Sequence, residues 1–586
     1  MRIPAFKNDN RDRSVLSAFL GYNRSDDSRK GAFLDMLNMT NDKYPVLATR
    51  EKRGMIDITG LDIRGIMSFD ARVGSEIVKN CLVADCMGRL KAFYPEDGTM
   101  KAYDIANTSN TLKSEKRTAV LSGTKVYFFP DKVYYDVLKS GESGFLEYRA
   151  EYPLGLSDGK WFEMILEPCL LDGSDADSAS PYRRLRYAIY KTDASGAKGA
   201  FDRYMNFNAS ISEGDTVELS GFLSATLNGY RNIKTVTQDK TAIVFECTES
   251  CSQSSGCIYM KREVPEMDFV ISAKNRLWGC RYGLDRGGKC VNEIYASALG
   301  DPKNWHRFTG TSTDSWTVSV GSAGAFTGAV CIDGDPVFFK EDGMIRIYGS
   351  YPEEFTLSET RCRGIEEGSA RSAVFVGDDL YYKTYSGIVR YDGGYPVEIS
   401  NALGSEKYKN AVAGSKGSKY YVSMENSRGE RELFVYDTKT GTWCKEKDPG
   451  IQGFCSCGAE LYFLYENEDG GSSISSVSNT EGTQGEKEIE WMCETARMGF
   501  EHPDRKYVGG LGIRLDTDSF AHCDVYIEYD GDGIWHKVSR LRGRKRAALV
   551  RIVPRRCDSY RLKMKGKGHC EIRSITTTLE KLRGKE

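Results

Sequence analysis

Apolar and polar residues alternate at period two along most of the chain, in short runs bounded by Gly, Asp or Asn. This is the pattern of half-buried β-strands joined by tight turns. The runs recur as a unit. Ala373–Tyr382 followed by Ser386–Gly393 has counterparts in Ala329–Lys340 followed by Gly343–Gly349, and in Lys419–Val422 followed by Leu433–Trp443. Fainter copies lie at Ala119–Tyr135, around Cys81–Tyr94 and at Phe454–Phe463. Repetition at roughly 40 residues predicts the radial blades of a β-propeller, about seven of them and possibly six to eight. Two blades fall within 65–149 and the others within 265–482, so 150–264 is an insertion. Its strand signals Gly214–Leu219 and Thr241–Phe245, with the turn Asn228-Gly229 between them, predict a small β-barrel or sandwich; Asp172–Ser180 reads as a loop. A polar linker, Asn479–Glu486, precedes about six further alternating strands in 483–586, which predict a C-terminal β-sandwich. Residues 1–64 read as an extended N-terminal arm with one short helix signal at Arg29–Asn38.

Composition agrees with an all-β chain: 60 Gly, 34 Tyr and 25 Phe against 15 Pro in 586 residues supply turns and strand formers but few rigid linkers. The repeat changes what the length implies, because a propeller is one large closed unit where length alone suggests three or four domains. The seventeen cysteines are odd in number, and Met1-Arg2-Ile3-Pro4 lacks the apolar core of a signal peptide, so a reducing compartment is expected. Cys81/Cys86, Cys247/Cys251/Cys257 and Cys455/Cys457 lack paired zinc-ribbon spacing and stand far from the five histidines; they read as buried thiols. Mean hydropathy is −0.47 and no apolar run is long enough for a membrane-spanning segment.

Searching for reaction chemistry gives little. There is no G-x-S-x-G elbow, H-E-x-x-H, phosphate loop or post-strand G-x-G-x-x-G. A propeller glycosidase would need two carboxylates across a funnel. Asp333, Asp378, Asp392 and Asp437 each sit beside Gly or Thr in a turn, where Asp serves local backbone hydrogen bonds. Ala296–Trp305 lacks the residue order of a sialidase Asp-box, and Asp530-Gly531-Asp532-Gly533 reads as a hairpin turn rather than a calcium loop. No catalytic residue, cofactor or metal is assigned, and the chain is expected not to be an enzyme.

Net charge is −2, so any polyanion must be met by a local patch. One exists. Between Arg540 and Lys567 twelve basic residues face the single acid Asp558, a local charge of +11. Arg540, Arg542, Arg544, Lys545, Arg546, Arg551, Arg555 and Arg556 form the candidate DNA- or partner-facing strip. The alternative is an exposed strand edge kept basic against aggregation. Aromatics are not interleaved as a base-stacking platform requires.

The order of several phrases resembles tailed-bacteriophage structural proteins of the tail nozzle or packaged-DNA stabilisation type. Gly21-Tyr22-Asn23, Asp35-Met36-Leu37-Asn38 and Leu47 with Arg50 and Arg53 match their N-terminal arm. Asn275–Gly279, Asn292–Ser297, Asp301–Trp305, Phe338–Lys340 and Ile347–Gly349 match their propeller, and Arg555–Asp558 with Gly566–Ile575 their closing domain. The resemblance implies a virion tail protein assembled in the host cytoplasm: a homo-oligomeric ring, six copies, contacting other tail or connector proteins and DNA passing through non-specifically. It implies an inter-subunit arm carrying Phe19, Tyr22, Asn23, Met36, Asn38, Arg50 and Arg53. The insert lies outside the resemblance. Rival readings are a tail-tip receptor- or glycan-binding protein and a propeller glycan hydrolase.

Overall fold

The computed structural model describes residues 11–581 except 28, 57–60, 97–98, 108–111, 115–116, 140–141, 208–209, 286, 468–469, 479–482 and 502–503. Half of the expected linker, residues 479–482, thus lies outside the described residues. The chain is all-β, as its patterning predicts. It divides into two compact units: Met1–Val73 with Val78–Ile105 and Cys362–Glu586, and Gly74–Ile77 with Ala106–Arg361.

In the first unit four antiparallel sheets succeed one another. Three are four-stranded meanders, starting at Gly65–Val73, Val374–Val376 and Lys409–Lys416; the fourth starts at Ile451–Cys457. The leading strand of one sheet lies against the leading strand of the next, which is how propeller blades succeed each other. The fourth blade is completed from far away in sequence. Gly54–Ile56 pairs with Ser472–Ser476, setting Ile56 opposite Ile474 and Gly54 opposite Ser476. Gly54 has no room for a side chain, since a Cβ would lie 2.5 Å from Ser476 Oγ and 2.2 Å from Thr483 Oγ1.

The second unit holds three more four-stranded meanders, starting at Thr118–Ser122, Phe269–Ala273 and Gly328–Ile332. In both units the second strand of a blade is a run of buried residues rather than an alternation: Val126–Phe129, Val337–Lys340, Leu380–Lys383, Tyr420–Met424 and Leu461–Leu464. Packing on both faces forces this, since each such strand is covered on either side.

Residues 148–262 of the second unit form a closed barrel. Tyr148–Ser157, Lys160–Cys169, Tyr182–Thr192, Ala242–Glu246, Gly229–Val236, Thr216–Ser220 and Gly256–Arg262 pair in that order, and the last returns to the first. Met164, Leu166, Leu185, Tyr187, Phe245 and Met260 fill it, and Arg262 is buried in an ion pair with Asp215. Lys198–Met205 adds to the outside as an edge strand on Tyr182–Thr192.

The C-terminal strands of the first unit form a sandwich. One sheet contains Met39–Lys43, Val46–Thr49, Cys570–Lys581, Lys506–Thr517 and Ala547–Arg551, with Arg11–Leu16 also on Cys570–Lys581. The other runs Phe33–Leu37, Glu490–Thr495, Tyr560–Lys567, His522–Tyr529, His536–Arg542. Leu511, Ile513, Ile572 and Ile575 of one sheet share a core with Trp491, Val525, Ile527 and Met564 of the other.

Two expectations need correcting here. Arg29–Asn38 is not helical: Phe33–Leu37 is a strand paired with Glu490–Thr495, and Asn38 ends it in a left-handed conformation at φ 55°. Nor is the segment before residue 57 an extended arm. Its described part supplies five strands, four to the sandwich and one to the blade. Phe19, Tyr22, Asn23, Met36, Asn38, Arg50 and Arg53 are all buried within their own chain, which leaves them no surface for a neighbouring subunit.

The same residues act as a latch inside the unit. Gly21, at φ 73°, lies so close to Trp443 that a Cβ would stand 2.4 Å from its carbonyl oxygen, and Tyr22 N–H donates to that oxygen at 2.6 Å. Asn38 accepts from Arg50 Nε and from Lys447 N–H, and donates to the Glu490 carbonyl at 2.7 Å. Arg50 reaches Glu486 with both terminal nitrogens, at 2.8 and 3.1 Å, while Arg53 pairs with Glu446 at 2.9 Å and lies over the Phe463 ring. The motif thus ties the start of the chain to a blade and to the sandwich.

Candidate polyanion interface

The basic strip occupies one end of the sandwich, where the chain leaves the edge strand His536–Arg542 of one sheet and becomes the edge strand Ala547–Arg551 of the other. All eight candidates are exposed, but they are not equivalent. Arg540 grips the buried carboxylate of Asp524 through Nε at 2.5 Å and Nη2 at 2.6 Å, with Lys537 adding a third contact at 3.0 Å. Arg555 lies over Tyr529 and 3.5 Å from Asp532. Further along, Arg561 is taken by Glu528 and Glu494, Lys563 by Glu494 and Lys567 by Glu490. The strip therefore carries much less free charge than its composition indicates.

Arg542, Arg544, Lys545, Arg546, Arg551 and Arg556 have no acidic partner among the described residues. The turn that bears three of them is fixed. Thr517 Oγ1 accepts from Lys545 N–H at 2.9 Å and donates to the Gly543 carbonyl at 3.0 Å, and Leu515 N–H donates to the Arg546 carbonyl at 3.2 Å.

The structure adds arginines that sequence reasoning missed. On the outer face of the larger sheet, strand register aligns Arg13, Thr578, Gly510 and Arg551 in one row and Val15, Thr576, Gly512 and Leu549 in the next; Arg514 stands opposite Ala547 and Ser574. Glycine and threonine make a flat floor, with exposed Arg13, Arg514 and Arg551 around it and Leu549 83% exposed. Asp516 and Glu571 lie at one end, where Lys43 and His569 contact Glu571. Arg13 and Arg514 are single outward positions in alternating runs, separated from the strip by hundreds of residues and by a sheet partner respectively; only the pairing brings them in.

Elsewhere Asp530 is a turn residue as expected, accepting from Asp558 and Ser559 N–H at 2.7 and 2.9 Å. No group of three or more metal-ligating side chains occurs among the described residues. Burial pushes the Cys444 thiol up to about 12 and raises Cys493 and Cys570 as well, so these thiols are inert packing groups. A cavity of about 710 Å³ in the first unit is lined by Arg24, Lys383, Tyr385, Glu398, Glu406 and Tyr408 among others. Glu398 accepts from Arg363 and Glu406 from Ser427.

Hydrogen bonds from Arg540 and then Lys537 outweigh burial and hold the Asp524 carboxyl well below the usual carboxylate range. A depressed folded-state pKa stabilises the fold above the unfolded value of about 4, and that contribution is lost as pH falls toward the folded value. Asp524→Asn is expected to cost about 1–2 kcal/mol at pH 7, the half-exposed cations limiting the gain, and less as pH falls below about 4. Denaturant midpoints at pH 7 and 3 measure this; an equal loss at both would mean the ion pairs contribute nothing.

No protein-family model and no curated protein matches the chain. Among solved structures it is similar to PorZ, a type-IX secretion component of Porphyromonas gingivalis, at 10% identity and TM-score 0.26, over 92% of this chain and 80% of that one. It is similar to the endosialidase of phage phi92 at 11% identity and TM-score 0.24, over 87% and 75%. It is also similar to an exo-β-1,3-galactanase of Phanerochaete chrysosporium at 9% identity and TM-score 0.21, over 53% and 94%. At these values the likeness concerns the strand-built fold alone. The expectation that the chain is not an enzyme is corrected: it rested on missing contiguous motifs, and the solved structures similar to the chain include glycoside hydrolases and an endosialidase. The absence of contiguous motifs does not exclude enzymes of that kind, because a propeller can draw its acids from separate blades.

Proposed function

We propose that the chain is a structural component of a bacteriophage tail, part of a nozzle or connector-proximal ring of six copies, whose sandwich presents a basic shelf to DNA in the channel. The observation that carries this reading is the fixed cluster of unpartnered cations, Arg542, Arg544, Lys545, Arg546, Arg551 and Arg556, continued by Arg13 and Arg514 on a flat sheet face. Contacts of this kind track phosphates without reading bases, which is what conducting any packaged genome requires. The resemblance of the ordered N-terminal phrases to tail nozzle proteins supports the assignment, with their residues reassigned from an inter-subunit arm to an internal latch. Particles carrying R544E/K545E/R546E are expected to lose DNA retention. Unchanged assembly and retention would sink the role given to the shelf.

A further inference from the structure

On the barrel, three neighbouring strands bring aromatic side chains into line on the outside. Trp161 lies opposite Tyr190, and Tyr190 opposite Phe201, so the three occupy one row across Lys160–Cys169, Tyr182–Thr192 and Lys198–Met205. The row faces away from the core, because the alternate positions Phe162, Met164, Leu185 and Tyr187 are those packed inside. Tyr190 and Phe201 meet edge to face with centroids 5.7 Å apart, and Tyr204 joins Phe201 at 4.8 Å. At the spacing of paired strands the row is about 10 Å wide.

Polar groups are set between the rings. Glu163, buried beneath the row, accepts from Lys198 Nζ at 2.5 Å and from Ser252 Oγ. Burial pushes its carboxyl up, but these donors outweigh burial and hold it below the usual range, so it is ionised at neutral pH. Lys198 Nζ sits 3.8 Å from the Tyr190 centroid and keeps donors free at a partly exposed position. Arg186 stacks on Tyr204 at 4.5 Å, and its Nε is buried without a hydrogen-bond partner.

We infer that this ridge is a carbohydrate-binding platform that stacks pyranose rings of a glycan chain on Trp161, Tyr190 and Phe201. Pyranoses present patches of C–H bonds on their faces and hydroxyls at their rims. The negative face of an aromatic ring attracts the former, and Lys198 and Arg186 supply donors for the latter. The ridge suits other partners poorly. A purely apolar protein surface would strand the ionised Glu163 and its cation, and a phosphate backbone would meet Glu163 and Glu167 on the same face. This inference is independent of the DNA-facing shelf, which lies on the other unit.

The test is saturation-transfer NMR on the full chain with methyl α-D-glucopyranoside, methyl β-D-galactopyranoside and methyl α-D-glucopyranosiduronate. Ring C–H protons of at least one probe are expected to receive saturation, reduced roughly tenfold by Trp161→Ala with Phe201→Ala and retained in Trp161→Phe. Lys198→Gln is expected to weaken the uronate more than the neutral probes. Transfer to none of the three, or transfer indifferent to the double alanine variant while that variant keeps its thermal transition, overturns the inference.

Discussion

Purified R544E/K545E/R546E is expected to bind duplex DNA roughly 10²–10³-fold more weakly than the parent chain near 0.1 M salt, with the fold unchanged. The reasoning is electrostatic. Each phosphate contact contributes a slope of about −0.9 to log K against log salt, so the six unpartnered cations of the shelf give the parent a slope near −5, and reversing three removes about three units of it. Arg540→Glu, by contrast, should act mainly on stability, since Arg540 is already committed to Asp524. Anisotropy titrations of a labelled duplex across a salt series read both quantities. A slope the same for parent and triple variant would show that the shelf does not touch phosphates, whatever the affinity.

The second large effect is expected at Arg53→Ala, which should destabilise the first unit by about 3–5 kcal/mol. Arg53 is buried, and its removal leaves the equally buried Glu446 facing only Arg50 Nε at 3.5 Å and strips a cation from the Phe463 ring. Truncating one partner of such a pair is costly because the other stays desolvated. Replacing both, Arg53→Leu with Glu446→Leu, should recover much of the loss. Denaturant unfolding followed by tryptophan fluorescence separates this from an inter-subunit role. If Arg53 belonged to a contact between copies, the alanine variant would fall apart on dilution yet unfold at the parent's midpoint.

The repeat was legible because each blade carries its own signal: a buried aromatic run such as Tyr420–Met424 between glycine-bearing turns needs no partner to be recognised. Residues whose partners are remote were not. Phe33–Leu37 has helix-like spacing and becomes a strand only because Glu490–Thr495 lies beside it. Gly54–Ile56 is too short to announce itself as a blade strand, and its pairing partner is some four hundred residues on. The composition of the basic strip was plain in the sequence, but which cations were already neutralised was not. Asp524, Glu528, Glu490 and Glu494 reach Arg540, Arg561, Lys567 and Lys563 only across the sheet. The aromatic row on the barrel is hidden in the sequence for the same reason, since Trp161, Tyr190 and Phe201 are aligned by register and not by spacing.

The pairing of Gly54–Ile56 with Ser472–Ser476, and of Arg11–Leu16 with Cys570–Lys581, sets a constraint on how the molecule comes off the ribosome. Domains usually fold as they emerge, N-terminal portion first. Here Arg11–Leu16, Phe33–Leu37 and Gly54–Ile56 gain their sheet partners only once residues 472–581 have been made, and the hydrophobic residues Phe33 and Met36 must wait in the open until then. The second unit, whose residues are consecutive from Ala106 to Arg361, can complete itself meanwhile. Biogenesis is thus ordered from the middle outward, and exposure of the early strands to aggregation or proteolysis lasts until residues 570–581 have been made.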